Sequence, residues 1–142
     1  MTRIVAALLL ALTLAAPAAA ADRLVSLTLD GRPVDRAGGI ALLHQGVIYA
    51  DVVDLVKAFD GLLTFQGPAT VVTINSINAT FTAGSRTAKI NDGAVTMKGR
   101  AFMRNGDLYV PLETFVTAVA KAKVRVDAGR TRADIIVNAP AG

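Results

Sequence analysis

The sequence predicts an α+β fold made of two tandem hairpin–strand–helix–hairpin units, with antiparallel sheets each packed on one helix. Three observations carry that expectation. Shifting the chain against itself by sixty residues places Leu42-Leu43-His44-Gln45-Gly46-Val47-Ile48-Tyr49 on Phe102-Met103-Arg104-Asn105-Gly106-Asp107-Leu108-Tyr109. An apolar pair, a polar pair, a glycine and a tyrosine thus stay in step, the signature of an internal repeat. After each match, apolar residues recur at i, i+3, i+4 and i+7: Val52, Leu55, Val56 and Phe59, then Leu112, Phe115, Val116 and Val119. That spacing lines one face of a helix. Around both helices, short alternating runs are broken by turn dipeptides, the pattern of strands and hairpins.

Taken in order, the first copy spans about 24–76 and the second about 77–138. Leu24–Leu29 reads as a strand closed by Asp30-Gly31, and Thr87–Asn91 as its counterpart closed by Asp92-Gly93. Asp-Gly favours a tight hairpin because both residues tolerate positive φ. Gln45-Gly46 and Asn105-Gly106 supply the next turn in each copy. The helices then open with Asp51 and Asp54 in one copy and Pro111 and Glu113 in the other, residue types that suit a helix N-terminus. Strands return at Leu63-Thr64-Phe65 and Val71–Ile74, and again at Val124-Arg125-Val126 and Ala133–Val137. An extra strand, Ile77–Thr82, bridges the copies. A copy of this size builds only a marginal core, so the halves are expected to pack on one another. The seven aromatic residues fall mainly at positions assigned to the core or to the repeat turns.

The first 21 residues read differently. Arg3 precedes an apolar run from Ile4 to Ala16 that only Thr13 interrupts, followed by Pro17 and four alanines before Asp22. This is the layout of a secretory signal peptide cleaved after Ala21, leaving 22–142 as the mature chain. Ile4–Ala21 is also close to a membrane-spanning length, but the alanine richness, Pro17 and the small-residue site favour removal over an anchor. The expectation is a secreted or periplasmic protein without a stable membrane span after processing.

Composition narrows the chemistry. The 142 residues include no Cys, no Trp and one His, which excludes thiolate zinc sites, iron–sulfur clusters and multi-histidine copper centres. The sequon Asn78-Ala79-Thr80 reads as ordinary strand. Gly38-Gly39 lacks the spacing of a phosphate loop, and the Asp-Gly turns lack the successive oxygen ligands of a calcium loop.

The segment Phe81–Gly93, continued by Ala101–Leu112, resembles the copper amine oxidase N-terminal-like, or stalk, domain family. The marks are Gly84-Ser85, the Asn91-Asp92-Gly93 turn and Tyr109-Val110-Pro111-Leu112. The similarity covers most of residues 24–137 and is better in the second copy. The first copy has Tyr49-Ala50-Asp51-Val52 where the family prefers Tyr-Val-Pro-Leu, and Phe65 where it prefers Trp. In the second copy Val126 replaces that Trp, and Lys121 or its neighbours stand where a Gly is usual. The resemblance implies a twisted antiparallel sheet wrapped on a helix, found in bacterial secreted and envelope proteins. It also implies no catalysis and no cofactor, because the stalk is not the catalytic part of the oxidase.

Two readings of the polar residues follow. His44 with Asp51 or Asp54 is the one set with the makings of a small hydrolase. Against it, His44 aligns with Arg104 before a Gly turn, which suits a solvated turn residue, and the two aspartates suit an acidic helix turn facing water. Charge gives the stronger hint: residues 22–97 hold six basic and seven acidic groups, whereas 98–142 hold eight basic and four acidic. Lys123 and Arg125 alternate with Val124 and Val126, which predicts basic heads outside and valines in the core. Lys123, Arg125, Arg130, Arg132 and Arg104 form the candidate basic face. It suits an anionic envelope polymer or an exported protein partner. Nucleic acid is not expected, since no aromatic series is interleaved with the charges. The leading expectation is a non-catalytic exported binding or spacer module, the alternative a subunit or inhibitor of a larger exported complex. A ligand groove is to be sought near the repeat-related Tyr49 and Tyr109.

Overall fold

The structure, a computed structural model, describes residues 21–34 and 40–137. The signal segment before Ala21, Gly38-Gly39 and the last five residues lie outside the described residues. Strands dominate: β1 (Arg23–Leu29), β2 (Arg32–Pro33), β3 (Ala41–His44), β4 (Val47–Asp51), helix α1 (Val52–Ala58), β5 (Leu62–Gln66), β6 (Ala69–Ile74), β7 (Ile77–Thr82), β8 (Thr87–Ile90), β9 (Gly93–Thr96), β10 (Phe102–Arg104) and β11 (Asp107–Pro111). The second helix, α2, begins as an α-helical turn at Leu112–Thr114 and widens into a π-helical turn at Phe115–Val119, followed by β12 (Lys123–Val126) and β13 (Arg132–Ile136).

Each expected strand and hairpin is present, and the turns use the predicted chemistry. Asp30 and Gly31, Gln45 and Gly46, and Asn105 and Gly106 all adopt positive φ. The second Asp-Gly turn is displaced by one residue. Ile90 pairs with Gly93, so the loop is Asn91-Asp92 and Asn91 takes the positive φ. Lys121, where the resemblance leads one to look for Gly, holds φ 55° just after α2.

Antiparallel sheets with few helices agree with the expected class, but the tandem arrangement differs. An eight-stranded sheet runs β10-β11-β4-β3-β1-β13-β12 with β2 on β1, and a five-stranded sheet runs β5-β6-β7-β8-β9. The copies have exchanged their last hairpins. β12–β13 of the second copy adds to β1 of the first in parallel, with Leu27 opposite Ala133. β5–β6 of the first copy joins β8–β9 of the second through the bridging strand β7. The copies meet at β4 and β11, where Ala50 opposes Val110, Tyr49 opposes Pro111 and Asp51 opposes Tyr109. Residues 49 and 51 correspond to 109 and 111 in the repeat, so this register is that of a local two-fold about Ala50 and Val110. Neither half therefore closes a sheet on its own helix. Long-range pairing overrides the local order: β4 and β11 join edge to edge, and the last three residues of each are buried.

Both helices deliver their predicted apolar faces to the core. Val52, Leu55 and Val56 of α1 and Leu112, Phe115, Val116 and Val119 of α2 are buried, with Phe59 half-buried at the end of α1. The Phe115 ring lies 6.2 Å from Phe81 on β7 and 6.1 Å from Phe59, so it joins the helix of one copy to the helix of the other. Phe65 departs from expectation: it is 66% exposed on β5, the edge strand of the five-stranded sheet.

Two consequences are measurable. Phe115→Ala should lower stability by about 3–5 kcal/mol in urea unfolding, the range for truncating a buried phenylalanine. Residues 22–76 expressed alone should show no cooperative unfolding transition, because β1 and β5–β6 lose their cross-copy partners. A cooperative fold of that fragment would contradict the exchanged topology.

Candidate functional site

The candidate basic residues separate into two groups. Lys123 and Arg125 project outward from β12, an edge strand bonded only to β13. Arg125 lies opposite Asp134 in the ladder. That carboxylate already accepts the Thr28 hydroxyl at 2.6 Å and faces Arg132 Nε at 3.5 Å. Val124 is half-buried as expected, but Val126 is 40% exposed. It borders a groove of about 390 Å³ beside α2, together with Val124 and Arg130, instead of entering the core. The β12–β13 turn is tied down by Asp127, which accepts from the Thr131 hydroxyl at 2.6 Å and from the Thr131 and Arg132 amides at 2.7 and 2.8 Å. The Thr131 hydroxyl bond, followed by the Arg132 amide, holds the Asp127 carboxyl below its usual range.

Arg130 and Arg104 belong to a second place, one end of the large sheet. Arg130 donates to the Gly46 carbonyl, and Arg23 to the Gly129 carbonyl at 3.4 Å. Asp22 holds this end together: one oxygen meets His44 Nδ1 at 2.8 Å and the other Arg104 Nη1 at 3.0 Å. The repeat-related His44 and Arg104 thus converge on a single carboxylate just before β1. His44 is not a solvated turn residue. It ends β3 half-buried, its ring 4.5 Å from Phe102 and 5.6 Å from Tyr49. Nor does it meet Asp51 or Asp54; the hydrolase arrangement is not assembled.

Asp51 also departs from expectation. It is the N-cap of α1, accepting from the Val53 amide at 2.9 Å, but it is buried at the β4–β11 junction. Burial, then a hydrogen bond and charge from Asp107 and the charge of Asp54, push its carboxyl up to about 6 against the opposing Val53 bond. A carboxylate facing like charges resists ionising, which favours the protonated form of buried Asp51.

A third feature was visible in the sequence only as the pair of repeat tyrosines. Beside the β3–β4 hairpin is an open cleft of about 580 Å³, lined by His44, Tyr49, Arg86, Lys98, Arg100 and Phe102 among others, with no acidic residue in its lining among the described residues. Its wall is a ring cluster: Phe102 packs edge-on to Tyr49 at 4.8 Å and stacks on Tyr109 at 5.7 Å. Its rim is the 97–101 strap, fixed to the 84–86 segment by Gly84 N–H to Ala101 O, Ala101 N–H to Ser85 O and Met97 N–H to Arg86 O, at 2.7, 3.0 and 2.7 Å. The strap crosses the Tyr49 hydroxyl so closely that a Cβ on Gly99 would stand 2.0 Å from it. Burial raises the Tyr49 phenol, with the Arg86 charge acting against it.

Residues 28–135 match the copper amine oxidase N-terminal domain. The chain belongs to that family. No curated protein and no solved structure shows significant similarity to it. The copper amine oxidase N-terminal domain is a non-catalytic module of its enzyme. In the present domain no three His, Cys, Asp or Glu side chains gather to hold a metal ion among the described residues. No described helix is long and apolar enough to cross a membrane.

The acid pair makes this domain's stability pH-dependent in a definite direction. Native Asp51 keeps its proton at pH values where the unfolded chain has released it. Stability should therefore fall by roughly 1–3 kcal/mol as pH rises from about 4 to about 6, and level off above. Asp51→Asn, which keeps an N-cap acceptor, should flatten that slope in urea unfolding. A wild-type stability that climbs over the same interval would contradict the assignment.

Proposed function

We propose that this domain is a non-catalytic, exported binding or spacer module of the cell envelope, contacting anionic envelope polymer through the basic surface of its second half. The observation that carries the reading is the outward projection of Lys123 and Arg125 from edge strand β12, where Asp134 opposite Arg125 is already engaged by Thr28 and Arg132. Cationic heads on a stiff strand meet a polyanion with little ordering cost, and their attraction weakens with salt. The signal-like first 21 residues support export, and membership in a non-catalytic family supports binding over chemistry.

A second reading, a subunit or inhibitor of a larger exported complex, is favoured by a different surface. Phe65 and Met103, 66% and 55% exposed, border an apolar groove of about 260 Å³ with Val52, Val53 and Pro68. Exposed apolar side chains gathered at one groove are a feature of protein contacts.

Co-sedimentation with purified cell-wall material across a salt series tests the first reading. Pelleting should be strong at low salt and decline steadily as salt rises. Lys123→Glu with Arg125→Glu should weaken it at least about tenfold, given roughly 1 kcal/mol per basic residue at an anionic surface. Binding indifferent to both salt and the double variant would overturn it. Loss on Phe65→Ser with Met103→Ser instead would favour the protein-partner reading.

A further inference from the structure

We propose that the cleft beside the β3–β4 hairpin is a binding site for one anionic sugar unit, bearing a phosphate or a carboxylate, and that it is separate from the β12–β13 surface. None of Lys123, Arg125 or Arg132 lines it. The case rests on how its cations are held. Arg86 donates through Nε to the Met97 carbonyl at 3.0 Å and through Nη2 to the Lys98 carbonyl at 2.8 Å. Arg100 donates through Nη1 to the Gly84 carbonyl at 3.0 Å. Both guanidinium groups are thus positioned by backbone oxygens, which fix geometry without cancelling charge. A guanidinium has five N–H donors. After these bonds, Arg86 retains three and Arg100 four for an acceptor in the cleft.

The contrast within the molecule is informative. Arg104 and Arg132 meet carboxylates, and Lys98, at the cleft's edge, pairs with Glu113 at 2.7 Å with both groups largely exposed, an interaction of little strength. Among the described residues, Arg86 and Arg100 are held against main-chain oxygens at one concave surface without an acidic lining residue. Two preorganised forks suit a phosphate or carboxylate, whose oxygens accept paired donors.

The rest of the cleft argues for a sugar over a bare ion. Its volume, about 580 Å³, is that of a small-molecule site and far exceeds one inorganic anion. One side is aromatic, with Phe102 backed by Tyr49 and Tyr109, and gives the apolar C–H face of a pyranose a surface to lie on. The His44 ring, oriented by Asp22 through Nδ1, leaves Nε2 as a further polar contact. Gly99 contributes by lacking a side chain: only a glycine lets the strap lie on the Tyr49 hydroxyl at the cleft's rim.

The protein supplies its own probe. It has two tyrosines and no tryptophan, and both tyrosines belong to the ring cluster of the cleft, so tyrosine emission reports on it. Glucose 1-phosphate and glucuronic acid should each change that emission saturably, with glucose producing no change and inorganic phosphate binding more weakly than glucose 1-phosphate. Arg100→Gln, an exposed substitution that gives up one backbone bond, should weaken both anionic sugars by about tenfold, the usual effect of losing a charged hydrogen-bond donor. Arg86→Gln should act in the same direction, and its unfolding curve shows whether the strap has been lost with it. Polygalacturonate run beside galacturonic acid separates a polymer-borne unit from a free one. Lys123→Glu with Arg125→Glu should leave the sugar titrations unchanged while altering cell-wall pelleting, so failure of one site is distinguishable from failure of the other. Absence of a saturable response to both anionic sugars, an equal response to uncharged glucose, or insensitivity to Arg100→Gln in a folded variant would overturn the proposal.

Discussion

The pairing of β4 with β11 is the constraint on which the remaining architecture depends. Ala50 and Val110 face each other fully buried, and each strand runs directly into the helix of its own copy. Once these strands are joined antiparallel, the helices are carried in opposite senses. Each chain segment leaving a helix is then delivered toward the other copy's first strand. Exchange of the terminal hairpins follows from that geometry, and so does the parallel contact of β1 with β13, whose partners stand more than a hundred residues apart in sequence. Both copies consequently share one apolar cluster spanning both sheets and both helices.

The exchange also decides where the charges go. Arg104 and Arg130 come from the second copy, His44 from the first and Asp22 from just before it, yet they collect at one end of the large sheet through the Asp22 pairs and the Arg130 bond to Gly46. The cleft is likewise composite: the β3–β4 hairpin supplies His44 and Tyr49, and the second copy's strap supplies Lys98, Gly99 and Arg100. Asp51 and Asp107 meet across the same junction, and the raised Asp51 carboxyl places a titratable group inside the seam between the copies.

Periodicity made most secondary structure legible. The helical faces Val52-Leu55-Val56 and Leu112-Phe115-Val116-Val119 are buried as their spacing requires, and the strands lie within a residue or two of the alternating runs. Three local signals misled. Asp51 looks like a solvated N-terminal acid because an N-cap is normally at the surface, whereas here the capped end of the helix sits under a second strand. Phe65 and Val126 look like core residues because they alternate correctly, but both lie on sheet edges where one flank has no covering layer. His44 looks like a turn residue because it precedes Gln45-Gly46, and the aromatic packing that half-buries it comes from Phe102 in the other copy.

The candidate sites divide along the same line. Lys123 and Arg125 were legible because alternation within one strand is enough to turn them outward, and Tyr49 and Tyr109 were marked by the repeat. Arg86, Gly99 and Arg100 carried no local pattern, since their role comes from main-chain oxygens and a tyrosine hydroxyl brought to them by folding. The amino-acid sequence by itself determined the family, the strands, the helices, the turns and the basic bias of the second half, because each depends on neighbours a few residues apart. Only the tertiary structure decided which copy's strands pair, which acids are buried and which cations face a cleft, because those depend on contacts between the two copies that no local period encodes.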